Sequence, residues 1–276
     1  MWISDGSEIF YVLQFNSDYY KMRSKFIKSQ FIFFVLFAAF LLHNKTAAQN
    51  LVSLTFYSTY SAAITSQLFG GSDKMAVYRA EGYGGGAEFS FLVYDKFYLN
   101  LNGGYTHYTI NQDSALAQWH WLFWDRRYRS RVQADLASDS TLAATITPVQ
   151  SMAVIPLMLT LNYKFQLTEN LFITPYAGGG ILFYTRSLFI NEYWQKYFGQ
   201  VDYTFGYSFR NFANDKKGNP VAINGGVDIT YKLSDIFRIQ TKFNYLHVIK
   251  TEGSMGYDDF PYHSALNFNL GITFMY

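Results

Sequence analysis

The sequence predicts an all-β protein, a closed antiparallel up-and-down transmembrane β-barrel of eight strands behind an N-terminal signal peptide. Three observations predict it: apolar and polar residues alternate with a period of two over the C-terminal third; short turns alternate with long connections; and aromatic residues make up 20% of a chain with only 15% charged residues. Period-two alternation belongs to strands that separate two environments, because successive side chains point to opposite faces. Tyr and Phe favour strands and membrane interfaces.

Composition narrows the classes further. Mean hydropathy is near zero, unlike a polytopic helical membrane protein. A net charge of +2 over 276 residues gives no reason to expect a nucleic-acid partner. With zero cysteines the chain has no disulfides, no thiolate metal site and no cysteine for lipidation.

Residues 1–48 are read as an upstream segment and signal peptide, with translation starting at Met22. Basic residues Arg23, Lys25 and Lys28 precede an apolar run from Phe31 to Leu42, and Thr46-Ala47-Ala48 suits cleavage before Gln49. The run is short for a bilayer-spanning helix, which needs about 20 residues; an uncleaved anchor is the alternative. Residues 49–276 form the barrel domain.

The last strand is expected over His263–Tyr276, with Leu266, Phe268, Leu270, Ile272, Phe274 and Tyr276 on one face and Ala265, Asn267, Asn269, Gly271 and Thr273 on the other. Before it, Phe237, Ile239, Phe243 and Tyr245 alternate with Arg238, Gln240, Lys242 and Asn244. Val221–Tyr231 repeats the design. Further strands are expected at Leu171–Tyr184, Ala153–Phe165, Phe97–Thr109, Glu81–Val93 and Leu51–Tyr60. Short turns fall at Tyr94-Asp95-Lys96, Leu167–Asn170 and Ser234-Asp235-Ile236, while residues 61–77, 110–150, 186–218 and 251–262 form long connections. Short turns at one end and long loops at the other are the asymmetry of outer-membrane barrels, with the turns and termini in the periplasm and the loops outside the cell.

Charge decides which face points inward. Glu88, Lys164, Asp228, Lys232, Arg238 and Lys242 share the polar face, and Lys or Arg held against lipid near the midplane costs about 2–4 kcal/mol each. Both signs are present, so an interior charge network is expected there, paired to satisfy buried charge. Glycines such as Gly86, Gly178 and Gly226 crowd the same face, as a narrow eight-stranded lumen requires. Aromatics beside the turns, among them Phe97, Tyr163, Tyr231 and Phe237, suit an interfacial girdle. A soluble periplasmic ligand-binding barrel would carry the reverse polarity.

These features carry a resemblance. The signal peptide, Pro175-Tyr176-Ala177-Gly178-Gly179-Gly180, Tyr163-Lys164-Phe165 and the closing Gly271-Ile272-Thr273-Phe274-Met275-Tyr276 resemble the outer-membrane β-barrel domain family, the small barrels similar in form to outer membrane protein A and PorT. The resemblance implies that Phe268, Leu270, Ile272, Phe274 and Tyr276 form the signal read by the barrel assembly machinery. It also implies outer-membrane lipid and lipopolysaccharide as surroundings in a Gram-negative cell envelope.

Two loops carry further chemistry. Trp119, Trp121 and Trp124 are followed by Arg126, Arg127, Arg129 and Arg131, a candidate surface-binding loop, since arginine forks take phosphate well. The alternative is a loop packed on the barrel rim. The second contains Tyr193, Trp194, Tyr197, Phe198, Tyr203, Phe205, Tyr207 and Phe209, and is either a binding surface or a folded extension of two strands.

No cofactor, metal site or catalytic residue is expected, and the role is read as structural, surface-interacting or assembly-related. The rival is a lipid A-modifying enzyme on the same barrel. It would need a nucleophile and a base in reach of one another; His247 and Ser264, across the last hairpin, are the nearest approach to such a pair.

Overall fold

The computed structural model describes residues 51–64, 80–110, 112, 115–250 and 255–276. The expected signal peptide lies outside the described residues, as do most of the 61–77 connection and part of 251–262. Val52–Tyr276 forms one compact unit.

Eleven antiparallel strands dominate it: β1 (Leu51–Ala63), β2 (Ala80–Tyr94), β3 (Phe97–Ile110), β4 (Leu142–Tyr163), β5 (Phe165–Gln166), β6 (Leu171–Phe198), β7 (Tyr203–Phe212), β8 (Lys216–Gly218), β9 (Val221–Lys232), β10 (Phe237–Val248) and β11 (Ser264–Met275). The sheet order is β4-β3-β2-β1-β11-β10-β9-β6-β5, and β4 also pairs with β6. All eight expected strands are present. The other three are the two-residue β5 and the strands β7 and β8, which arise within the connection expected at 186–218.

Those long connections are the main departure from the sequence reading. β4 starts at Leu142 and β6 runs on to Phe198, so Leu142–Met152 pairs with Arg186–Lys196 where loops were expected. β7 then returns along β6, from Phe198↔Tyr203 to Phe189↔Phe212. The expected loop 186–218 is therefore largely a hairpin, the folded extension rather than an open loop. The other connection holds a short helix α1 (Ala115–Trp119), a π-helical turn (Trp124–Tyr128) and α2 (Arg129–Ser138). No helix among the described residues is long and apolar enough to cross a membrane.

Register fixes the faces. Across β10 and β11, Ile239 opposes Ile272 and Phe243 opposes Phe268; across β9 and β10, Tyr231 opposes Ile239 and Val227 opposes Phe243. The row continues through Ile173↔Ile229 on β6 and through Leu99↔Leu161 and Leu101↔Leu159 on β3 and β4. A one-residue slip would bring the charged set to this face. Most of this apolar face is exposed: Leu270 is 50% and Ile272 53% accessible, and Leu159, Leu161, Ile239 and Phe243 are similarly open, while Leu99, Leu101 and Ile173 are half-buried.

The other face is buried. Tyr176 reaches across it to donate to the Phe243 carbonyl at 3.2 Å. Its ring has room because Gly226 carries no side chain: a Cβ there would overlap the Phe243 carbonyl and meet the Tyr176 hydroxyl. At the short turn after β2, Asp95 takes a positive φ of 44°, which Asp tolerates better than most residues.

Candidate functional site

The buried face stacks its polar groups in layers, and the strands place each one. At the end with the short turns, Lys164 follows β4 and Arg238 opens β10. The Lys164 Nζ lies 4.4 Å from the Phe172 ring centroid and the Arg238 guanidinium 5.0 Å from it. Lys232, at the end of β9, instead binds Asp235 in the turn at 2.5 Å.

One layer further in, Lys242 binds the Glu88 carboxylate at 2.5 Å, and Asn100 donates to the same carboxylate at 2.7 Å. Asp228 accepts from Thr230 at 2.9 Å and from the Gln240 amide. Thr273 donates to the Gln240 carbonyl oxygen at 3.3 Å and bonds Thr55 at 2.8 Å. Glu88, Lys242 and Asp228 are each at least 95% buried. A buried ion is costly unless paired, and this layer gives Glu88 and Asp228 two donors each and Lys242 the Glu88 carboxylate, with the Tyr176 ring centroid 4.2 Å from its Nζ. Of the six charges expected to form an interior network, Glu88, Lys242 and Asp228 lie in this central layer; Lys164 and Arg238 occupy the layer beneath it, and Lys232, at the end of β9, pairs with Asp235 in the turn.

Two small cavities flank the central layer. One of about 60 Å³ is bounded by Tyr57, Glu88, Lys242 and Asn269 and reaches Tyr108 and Tyr262. One of about 50 Å³ lies on the turn side, bounded by Glu88, Asp228, Lys164 and Arg238. Each has room for a few waters. Beyond the first, Tyr108, Met152, Tyr184, Leu246, Phe260 and Tyr262 form an apolar core, partly built by the segment before β11: Phe260 packs on Tyr262 at 4.6 Å and on Tyr184 at 5.1 Å.

Two further polar clusters stand at the end of the long connections. Arg186, 2% exposed, donates to Gln150 at 2.8 Å and to the Asp259 carbonyl at 3.2 Å and lies 4.8 Å from the Trp119 ring. Lys216 binds the Asp259 carboxylate at 2.6 Å. Higher on the β6–β7 extension, the buried Glu192 accepts from Tyr128 at 2.8 Å, Trp194 at 2.9 Å and Asn211 at 2.6 Å. Burial, with Glu192 beside it, pushes the Tyr128 hydroxyl above its ordinary range. Sequence reasoning missed Arg186 and Glu192. The available signal was their parity, since Leu182, Tyr184, Leu188, Ile190 and Trp194 share their buried face.

The candidate surface-binding loop divides in two. Trp119 packs against Leu188 and Ala213 and Trp124 is buried, so these rings hold the helical segment in place; Trp121 is half-buried. Arg126, Arg127, Arg129 and Arg131 are exposed. On β7, Tyr207 lies 5.8 Å from Phe205 and stacks with Phe209 at 6.1 Å and 11°. Among the described residues β7 pairs with β6 alone, leaving its other edge open.

On the apolar face, Phe268, Leu270, Ile272 and Tyr276 are exposed. Phe274 packs against Phe237 at 5.3 Å, and Phe97 against Tyr163 at 4.8 Å beside another turn. His247 Nδ1 does meet the Ser264 hydroxyl, at 3.0 Å, and that hydroxyl also bonds Tyr245 at 2.8 Å. Among the described residues no cluster of three His, Cys, Asp or Glu side chains has the geometry to hold a metal ion.

No family model matches the chain and no curated protein matches it. Among solved structures it is similar to Neisserial surface protein A, with 11% identity, a TM-score of 0.41 and coverage of 81% of this chain and 96% of that one. A major outer membrane protein from Thermus thermophilus gives 12% identity, a TM-score of 0.41 and coverage of 81% and 99%. The N-terminal β-barrel domain of Pseudomonas aeruginosa OprF gives 12% identity, a TM-score of 0.35 and coverage of 83% and 100%. Values this low assign the chain to no family.

Proposed function

We propose that the chain is an integral outer-membrane β-barrel protein, non-enzymatic, with a structural or surface-interacting role. In this reading β1, β2, β3, β4, β6, β9, β10 and β11 close into a ring, supported by the pairing of β4 with β6 in addition to the path from β4 through β1 and β11 to β6. The observation that carries the reading is the polarity of the two faces: a largely exposed apolar row outside and hydrogen-bonded charges inside. Soluble proteins rarely expose apolar patches beyond a few hundred Å², whereas lipid-facing and lumen-facing residues alternate in membrane barrels. The same polarity argues against a soluble periplasmic ligand-binding barrel.

The turns then face the periplasm, and the β4–β6–β7 extension with its helices stands outside the cell. The apolar end of β11, from Phe268 to Tyr276, serves the barrel assembly machinery during insertion. The exposed arginines 126, 127, 129 and 131 and the aromatic ladder of β7 are the surfaces offered to lipopolysaccharide or another surface ligand. Mobility of boiled and unboiled protein in detergent gels tests the barrel. A heat-dependent shift in outer-membrane fractions is expected, and a soluble, unshifted protein overturns the reading.

The His247–Ser264 contact favours one second reading, lipid A modification at the outer rim. An unchanged lipid A acylation pattern on expression of the protein retires it; a change lost in His247→Ala makes it the function.

A further inference from the structure

We propose that the turn-side end of the buried face carries an anion site, formed by Lys164 and Arg238 around Phe172, that takes a phosphate group. The site goes beyond the proposed barrel role and rests on it only for its placement at the periplasmic mouth. Two cations within 4.4 and 5.0 Å of one ring centroid repel each other. The aromatic face offsets part of that repulsion, but among the described residues no carboxylate bonds either group.

The nearby acids are already engaged. Glu88 holds Lys242, Asp235 holds Lys232, and Asp228 accepts from Gln240 and Thr230. Four cations thus face three carboxylates, which leaves one positive charge in excess at Lys164 and Arg238. The Arg238 Nε is buried and has no acceptor among the described residues. An orphaned donor on a charged group is expensive to leave unmet.

The cavity beside these groups supplies the remaining elements. It is about 50 Å³, and Ser90, Tyr98, Asn162 and Thr174 bring further donors to its wall. Glu88 and Asp228 also line the cavity, their carboxylates held by Asn100 and Lys242 and by Thr230 and Gln240. A guanidinium fork, an ammonium and several hydroxyl and amide donors around a small space match a tetrahedral oxyanion. Free inorganic phosphate and the phosphate of a lipid headgroup share that chemistry.

The test uses the full barrel folded in a zwitterionic detergent, with heat-dependent gel mobility reporting the barrel separately from the site. Inorganic phosphate is titrated while the Arg238 Nε–H resonance is followed by NMR, and short-chain phosphatidylglycerol is titrated in a second arm. A saturable shift of that resonance is expected in at least one arm, and the arm that saturates at lower concentration identifies the source. Lys164→Met and Arg238→Met should each weaken binding about tenfold, read by calorimetry, whereas Lys232→Met should leave it unchanged. Folded protein whose Arg238 resonance moves with neither titrant overturns the proposal. So does binding that Lys164→Met and Arg238→Met leave intact. The wild-type resonance decides the matter even where a variant fails to fold.

Discussion

The Lys242 Nζ lies 2.5 Å from the Glu88 carboxylate although 154 residues separate the two in the chain. The pair joins β10 to β2, strands that β11 and β1 separate in the sheet order, so it bridges the buried face from side to side. Removing one partner strands a buried charge, which costs about 3–5 kcal/mol, while removing both is far milder. Lys242→Met should therefore lower the urea midpoint of the folded protein sharply, and adding Glu88→Gln should recover most of the loss. Equal loss in the single and double variants would sink this account of the pair.

Gly225 and Gly226 are neighbours with opposite tolerances. A methyl at Gly226 overlaps the Phe243 carbonyl and meets the Tyr176 hydroxyl, whereas one at Gly225 meets only the Tyr176 carbonyl at 3.5 Å, an ordinary contact. Overpacking of this kind costs about 1–3 kcal/mol. Gly226→Ala should destabilise by that order and Gly225→Ala by little or nothing, as measured by denaturant midpoints side by side. A comparable loss at both positions would mean that strand entropy, not the close approach of Tyr176, governs this segment.

The sequence made β9, β10 and β11 legible because each separates an apolar environment from a polar one, so Ile229, Ile239 and Ile272 alternate with Asp228, Gln240 and Thr273. The extensions of β4 and β6 were hidden for a physical reason. Beyond Ser151, β4 has no pairing to β3, and Pro148 sits there, a residue tolerated where one strand edge is free. β7 does alternate, with Tyr203, Phe205, Tyr207 and Phe209 against Thr204, Gly206, Ser208 and Arg210, but it is exposed on both faces through most of its length, so its aromatics read equally well as a binding surface or as a strand. In the site, Glu88, Lys242 and Asp228 were legible by parity alone. Arg186 and Glu192 were not, because they fall in a segment whose aromatics read equally well as loop, and their partners Trp119, Tyr128 and Asp259 come from distant connections that only tertiary packing brings near.

Asp139, between α2 and β4, gives a pH signature outside the proposed membrane span. The Thr141 hydroxyl donates to its carboxylate at 2.6 Å and Lys196 lies 2.9 Å away; these hold its pKa at about 2, below the ordinary 3.8. A depressed carboxylate pKa contributes stability that is present above 3.8 and is lost as pH falls through about 2. The group is exposed, so the contribution is small and weakens in high salt. NMR titration should find the Asp139 carboxyl changing near pH 2, and Thr141→Val should move that transition back toward 3.8. A wild-type midpoint already at the ordinary value would mean that the Thr141 and Lys196 contacts do not persist in solution.

Leu270 offers the most direct test of which face meets lipid. It sits mid-strand on β11, half exposed, opposed by Ser58 on β1 and Thr241 on β10. If water covers this face, a charge there costs little, as at ordinary exposed sites. If the bilayer covers it, arginine near the midplane costs about 2–4 kcal/mol. Leu270→Arg should destabilise the protein folded in lipid vesicles by that order, whereas Leu122→Arg, on the exposed helical connection, should be nearly neutral. Because the comparison keeps the substitution constant and changes only the surroundings, helix and strand propensities contribute at most tenths of a kcal/mol to the difference. A Leu270→Arg variant as stable as the wild type in vesicles would remove the lipid from this face, and the polar interior would then have to be reread as the side that meets bulk solvent.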